Sequence, residues 1–294
     1  MTGGGSGALP ALPGARVLLN RHGLRPKKSW GQNFLTDPRA LARIADAAVG
    51  APGQTVVEIG AGLGALTGAL LARSARVVAI ERDPDLVAVL RAELGSLAGL
   101  EVVALDALDF DFTGARAKAG LPVLVAGNLP YQITTPLLFR VLEAAAGGQT
   151  IARAVFMVQK EVAQRLGAAP GTAAYGRLTV MVQQLAEVEV LFHVAAGSFL
   201  PPPAVTSSVF RLTPRAAPRA PVRDGRLFAA VVRASFEGRR KMLRRALEPR
   251  FDGAHLATVF AAAGLAGTER GETLSVERFA ALTNALYESG ARGA

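Results

Sequence analysis

The sequence predicts an α/β fold, a mostly parallel sheet with helices on both faces, followed by a small all-helical C-terminal domain. Three observations carry this. Short apolar strands alternate with helical patterns between residues 55 and 166, a proline-rich stretch, PRAAPRAP, interrupts the chain at 214–221, and beyond it the periodicity is helical only. The expected organisation is a flexible tail over 1–15, a first domain over 16–213, a linker over 214–221 and a second domain over 222–294.

Taken in order, TVVEIG (55–60) leads into a helix over 65–73, and RVVAIE (76–81) into DLVAVLRAEL (85–94). EVVAL (101–105) and LPVLVA (121–126) follow, then ARAVFMVQ (152–159), which runs into the helical KEVAQRL. Strands this apolar are buried on both faces, and their repetition with helices makes them parallel. VTSSVFRL (205–212) is expected to close the sheet. In the last quarter, Leu227, Phe228, Val231, Val232 and Phe236 fall on one helical face.

Half of the 294 residues are hydrophobic and the mean hydropathy is +0.30, ample for a core. The longest weakly polar run, VVEIGAGLGALTGALLA (56–72), contains Glu58 and four glycines, which a membrane span disfavours. MTGGGSGALPALPGA lacks the basic start and long apolar run of a signal peptide, so a soluble cytoplasmic protein is expected. Without cysteine there is no disulfide, thiolate nucleophile or cysteine metal site, and three scattered histidines do not suggest zinc. A net charge of +10 fits a polyanionic partner. Residues 215–294 hold 14 Lys and Arg against 8 Asp and Glu, leaving 19 against 15 before them, so most of the excess lies at the C-terminal end. Arg239, Arg240, Lys241, Arg244 and Arg245 are the candidate RNA-binding residues, on one short helix whose opposite face, Met242, Leu243, Ala246 and Leu247, packs.

Gly60, Gly62 and Gly64 sit at a strand end and open a helix, where glycine permits a tight turn and close approach to a ligand. Gly60, Gly62 and Ala65 also satisfy a dinucleotide pattern, so the loop alone fits NAD. Glu58, two residues before the first glycine, gives nothing to a pyrophosphate but suits an ammonium or sulfonium group. Glu81 ends the next strand, where a carboxylate can accept ribose hydroxyls, and Asp106 ends the third, where it can accept from an adenine amino group. Ligands of open α/β sheets lie at such strand ends, and S-adenosylmethionine fits the three acids better than NAD does.

The fourth strand ends in GNLPY (127–131). An adenine amine is a poor nucleophile because its lone pair is delocalised into the ring. With the Asn128 side-chain oxygen and the Leu129 carbonyl accepting its two N–H bonds, the nitrogen is fixed and its lone pair directed at a methyl sulfonium. Pro130 stiffens the turn and Tyr131 offers a ring on which a flipped base stacks, for about 1–3 kcal/mol.

NLPY is similar to the [N/D]-[P/I/L]-P-[Y/F] signature of amino-group methyltransferases. Together with KKSWGQNFLTD (27–37), EIGAGLGALT (58–67), FMVQKEVAQRL (156–166), YGRLT (175–179) and FLPPPAVTSSVFRL (199–212), the chain resembles the small-subunit (16S) rRNA adenine N6,N6-dimethyltransferases over residues 15–285. The resemblance implies a class I (Rossmann-like) methyltransferase domain. It implies that Asn33, Leu35, Gly60, Glu81, Asp106 and Asn128 contact the cofactor, and that Tyr131 and Phe199 flank the target base. It implies as substrate two adjacent adenines in the 3′-terminal hairpin loop of 16S rRNA, in a pre-30S particle; the composition predicts no membrane span or metal site, and a monomer is expected. Trp30 departs from the phenylalanine or tyrosine usual before GQNFL, with a packing consequence only. From the residues themselves, QNFL also reads as a helix entry capped by Thr36 or Asp37 with Pro38 in the first turn, and Phe199 as core filling. The rivals are a 23S rRNA adenine methyltransferase, a DNA adenine methyltransferase, an NAD oxidoreductase and a non-catalytic RNA-binding assembly factor.

Overall fold

The computed structural model describes residues 12–290 apart from 75, 131–132, 147–148, 239–240 and 252. Helix α1 (Ala15–Arg21) precedes the two-residue strand β1 (Phe34–Leu35) and α2 (Pro38–Ala48). Then β2 (Thr55–Ile59), α3 (Ala65–Leu71), β3 (Arg76–Glu81), α4 (Pro84–Leu94), β4 (Leu100–Ala104), α5 (Phe112–Ala119), β5 (Val123–Asn128), α6 (Thr134–Ala145) and β6 (Ile151–Gln159) follow in alternation. The chain continues through α7 (Lys160–Leu166), α8 (Arg177–Leu185), β7 (Ala186–Val194), β8 (Phe199–Leu200) and β9 (Ser207–Pro214). It ends in α9 (Gly225–Phe236), α10 (Leu243–Leu247), α11 (Gly253–Ala262) and α12 (Val276–Glu288).

The main sheet has seven strands in the order β4-β3-β2-β5-β6-β9-β7. The five from β4 to β6 pair in parallel, and β2, β3, β5 and β6 are largely buried runs rich in Val, Ile, Leu and Ala, whereas β4, at the sheet edge, is only half-buried. VTSSVFRL does not close the sheet. Its strand β9 lies antiparallel against β6, and the edge is β7, within the AEVEVLFHV stretch.

Two compact units result, Met1–Lys160 with Glu189–Pro214, and Glu161–Val188 with Arg215–Ala294. Two expected boundaries are corrected. Residues 161–188 belong to the second unit because Tyr175 and Val180 are buried in a core with Phe228, Val231, Val232, Leu256 and Phe279. The expected linker is docked rather than free. Arg215 and Arg219 donate backbone N–H to the Leu185 and Gln184 carbonyls, and the Gln184 amide brackets Ala220 with two hydrogen bonds. Leu227, Phe228, Val231 and Val232 of α9 are buried, and complete burial of such a valine stabilises by about 1.5–3 kcal/mol. The YGRLT motif serves this core. The buried Tyr175 hydroxyl donates to the Leu274 carbonyl at 2.7 Å, and burial pushes its pKa up to about 12.

Candidate active site

In the first unit a cavity of about 320 Å³ opens at the C-terminal ends of β2, β3, β4 and β5, against the segment that carries β1. Asn33, Leu35, Gly60, Gly62, Glu81, Asp106, Asn128, Leu129, Pro130 and Phe199 all line it, as does Glu58. Tyr131 lies outside the described residues, as do Arg239 and Arg240.

Chain topology explains the convergence. In the two-stranded ribbon, β1 runs antiparallel to β8 with Phe34 opposite Leu200 and Leu35 opposite Phe199. Thr36 extends it, since its N–H and hydroxyl both donate to the Ser198 carbonyl. Asp37 then caps α2, accepting from Arg39 N at 2.9 Å, with Pro38 at the first position. QNFL is therefore a helix entry and a pocket wall at once. Phe199 likewise belongs both to the buried core and to the cavity lining.

The glycine loop bends as the spacing requires, with φ of 71°, 60° and 86° at Gly60, Gly62 and Gly64, the left-handed region open to glycine. The buried Glu81 stabilises this bend. Its Oε1 accepts from Arg82 N and Asp83 N, and its Oε2 from Gly62 N, each at 2.9 Å. Burial raises its pKa while these three donors oppose the rise. Oε2, with one donor, is the oxygen with room for a ribose hydroxyl.

Glu58 is 1% exposed and accepts from Thr67 Oγ1 at 2.6 Å. Burial raises its pKa from 4.5 to about 8, with the neighbouring Glu81 pushing the same way. Unfolded chains ionise this carboxyl near 4.5, whereas the folded protein keeps its proton to about 8. The stability tied to Glu58 is therefore present below the lower value and lost as pH rises through the upper one. Glu58→Gln should then melt above wild type near pH ~8 and level with it near pH ~4, as thermal unfolding across pH would record.

Asp106 follows β4 by two residues and caps the short helix Ala107–Asp109 through Leu108 N, 3.0 Å from Oδ1, while its Oδ2 accepts from Arg82 Nη1 at 3.3 Å. It is thus a helix cap and a cavity residue together.

At the end of β5, Gly127 has a specific reason to be glycine, because a Cβ there would lie 2.4 Å from the backbone oxygen of Ile59. Only the bare backbone lets β5 run past β2. The Leu129 N–H donates to Met157 O at 3.0 Å, carrying the ladder one residue further. Asn128 Nδ2 donates to the Asn33 carbonyl at 3.1 Å. The amide is oriented by that bond, so Asn128 Oδ1 and the Leu129 carbonyl remain as acceptors without a partner among the described residues. Thr134 Oγ1 ties the Pro130 carbonyl to the start of α6 at 3.1 Å.

Some contributors were not singled out from sequence. Lys27 Nζ donates to Asp83 Oδ1 and Asp85 Oδ2, and Gln32 Nε2 to Asp83 Oδ2, all at 2.7 Å. These bonds tie the KKSWGQNFL segment to the turn after Glu81. Burial alone would raise the Asp83 pKa, but the bonds from Lys27 and Gln32 outweigh it and hold the carboxyl below its usual range. The signal was present in the quoted motif, in which Lys27 and Gln32 stand. Thr67, which holds Glu58, was legible only as the last letter of EIGAGLGALT. Trp30 does more than pack. The Lys27 ammonium lies 5.2 Å and the Arg82 guanidinium 4.6 Å from its ring centroid.

The expected basic helix is corrected. Helix α10 begins only at Leu243, because Met242 is extended and the first-turn N–H groups of Leu243 and Arg244 donate to the Glu269 and Gly267 carbonyls. Lys241 therefore precedes the helix, and Met242, placed on the packing stripe, is 51% exposed, whereas Leu243 and Leu247 are buried. Arg244 pairs with Glu248 at 3.2 Å.

The chain matches the family model described as ribosomal RNA adenine dimethylase over residues 23–288. It belongs to that family. Relatives of this dimethylase include the ribosomal RNA small subunit methyltransferase A of Myxococcus xanthus, 48% identical over 92% of this chain and 94% of that one. The protein of the same name from Anaeromyxobacter sp. (strain K) is 46% identical over 93% and 98%. Among solved structures, a dimethyladenosine transferase from Plasmodium falciparum superposes with a TM-score of 0.73 at 25% identity, covering 88% of this chain and 98% of that one. The 23S rRNA methyltransferase ErmE gives 0.64 at 30% identity, covering 86% and 99%. This dimethylase therefore has the Rossmann-like methyltransferase fold and methylates ribosomal RNA adenine, and the oxidoreductase and DNA-modifying readings fall away.

Proposed function

We propose that this protein dimethylates two adjacent adenines in the 3′-terminal hairpin loop of 16S rRNA, within a cytoplasmic pre-30S particle, using S-adenosylmethionine. The observation that carries the chemistry is the Asn128 amide, oriented by the Asn33 carbonyl beside a cavity walled by the glycine loop. The cavity suits a cationic nucleoside. Glu58 is buried in its wall, where a sulfonium nearby would draw its carboxyl toward the ionised form, and Glu81 and Asp106 present further acceptors. S-adenosylmethionine, when bound, supplies a methyl group on a sulfonium sulfur.

The residues of the chain do the rest. Gly60 and Gly62 admit the cofactor close to the backbone, Glu81 takes ribose, Asp106 the adenine edge, and Asn33 and Leu35 close the far side. Asn128 Oδ1 and the Leu129 carbonyl accept the two N–H bonds of the target amine, drawing it toward tetrahedral geometry. Alignment supplies most of the rate. No general base is needed, because the methylated ammonium loses its proton to water. Pro130 keeps the turn rigid, and Tyr131 and Phe199 flank the extruded base. Tyr131→Phe should retain activity and Tyr131→Ala lose most of it in single-turnover assays, since stacking uses the ring and not the hydroxyl.

The 16S target is favoured by the two small-subunit relatives at 46–48% identity. Tritiated S-adenosylmethionine offered with unmethylated 30S particles, 50S particles and naked rRNA, followed by mapping of the labelled base, tests it. Label confined to 50S or 23S rRNA would overturn it. For docking, Lys241 and Arg245 are exposed cations with no acidic partner among the described residues, unlike Arg244. Replacing both with Ala should flatten the salt dependence of 30S binding by about 0.7–0.9 log units per lost phosphate contact. An unchanged slope would place the docking surface elsewhere.

A further inference from the structure

Arg82 is an odd residue to find in this wall. Its side chain is exposed at the edge of the cavity, yet it adds a positive charge beside a site that suits a cation. Two contacts hold it. Its guanidinium carbon lies 4.6 Å from the Trp30 ring centroid, and Nη1 donates to Asp106 Oδ2 at 3.3 Å. All three side chains line the cavity, and they come from separate segments, the stretch before β1, the turn after β3 and the turn after β4. Cation–π contact favours a guanidinium over a ring face, so Trp30 restricts where Arg82 can lie.

The consequence falls on Asp106. Its Oδ1 is held by the Leu108 N–H as a helix cap. One bond leaves a carboxylate free to turn about its last torsion, and the second bond, from Arg82, restricts that freedom. A carboxylate fixed in this way offers acceptor lone pairs in set directions. Such a group rewards a purine whose edge donates an N–H and penalises one whose edge presents an oxygen. We propose that Arg82, seated on Trp30, is a positioning residue that fixes Asp106 for selective recognition of the cofactor's purine amine. The proposal deepens the reading above, on which it rests for the identity of the ligand.

Calorimetric binding of S-adenosylhomocysteine and of its deaminated analogue S-inosylhomocysteine, which carries an exocyclic carbonyl oxygen in place of the amine, tests it. Wild type should prefer the adenosyl ligand by about tenfold or more, the scale of a hydrogen bond to a charged group. Arg82→Met keeps the length of the side chain and removes the pair, and should cut that preference severalfold while leaving the affinity for the inosyl ligand near wild type. Arg82→Lys, which can still donate to Asp106, should restore most of the preference. Trp30→Leu should reduce it in the same sense. If Arg82→Met weakened both ligands by one factor, or neither, the proposal would be overturned and the cofactor reading would stand. A wild type that binds both equally would overturn the Asp106 assignment and this inference with it. Failure of wild type to bind either ligand would overturn the cofactor reading itself, and this inference with it.

Discussion

Asn128→Ala is expected to slow methyl transfer by about 10²–10³-fold, the usual cost of losing one oriented polar group or of misplacing the reacting atoms by an ångström. Affinity for 30S particles should stay near that of wild type, because Asn128 sits in the cavity and contributes no charge. Two effects add. The amine loses one of its two acceptors, and the Asn33 carbonyl loses the N–H that it accepts at 3.1 Å. Asn128→Asp separates them, since a carboxylate still accepts from the amine but cannot donate to Asn33. Its rate should fall between wild type and Ala. Single-turnover rates with saturating cofactor, beside filter binding of 30S particles, give both quantities. Were Asp as slow as Ala, the tie to Asn33 would be the decisive half of the role.

Glu81→Ala should weaken cofactor binding by about 1.5–3 kcal/mol, the range for hydrogen bonds to a charged acceptor. It also leaves the N–H groups of Gly62, Arg82 and Asp83 without their acceptor, so a lower melting temperature should accompany the weaker binding. Glu81→Gln is the sharper test. Its amide oxygen can serve one side of the bend, but its NH2 group then meets an N–H donor on the other. Glutamine should therefore be nearly as damaging as alanine in calorimetry. A near-normal Gln variant would show that the carboxylate is not needed as a multiple acceptor.

How much of this was legible depended on whether neighbours in sequence were neighbours in space. The strands that carry Glu58, Glu81, Asp106 and Asn128 are continuous apolar runs, and they end within a residue or two of where their composition put them. The cap at Asp37 and the packing face of α9 were equally local. Strand β7 escaped notice because it lies at the sheet edge, where Glu187 and Glu189 dilute the apolar pattern and pair with Arg215 and Arg211. The antiparallel insertion of β9 could not be read from a strand whose own composition is ordinary. Two-residue strands such as β1 and β8 show no periodicity at all, so the pairing of Leu35 with Phe199 was not legible, and only the resemblance assigned both residues to one site. Met242 was misplaced because helix α10 is started by the 266–269 loop, a long-range cause invisible in the local pattern.

The ribbon of β1 and β8 also sets an order of events. It joins Thr36 to Ser198, 162 residues apart in the chain, so it closes one of the longest loops in the first unit. Long closures come late in folding, because their entropic cost is met before their contacts form. During synthesis the delay is stricter. A nascent chain that has emerged only to residue 198 already carries the glycine loop, Glu81, Asp106 and Asn128, yet the segment bearing Asn33 and Leu35 has no strand to lie against. On the proposed cofactor reading, capture would wait until Phe199 and Leu200 have left the ribosome, since a chain broken before that point has every acid in place and one wall missing.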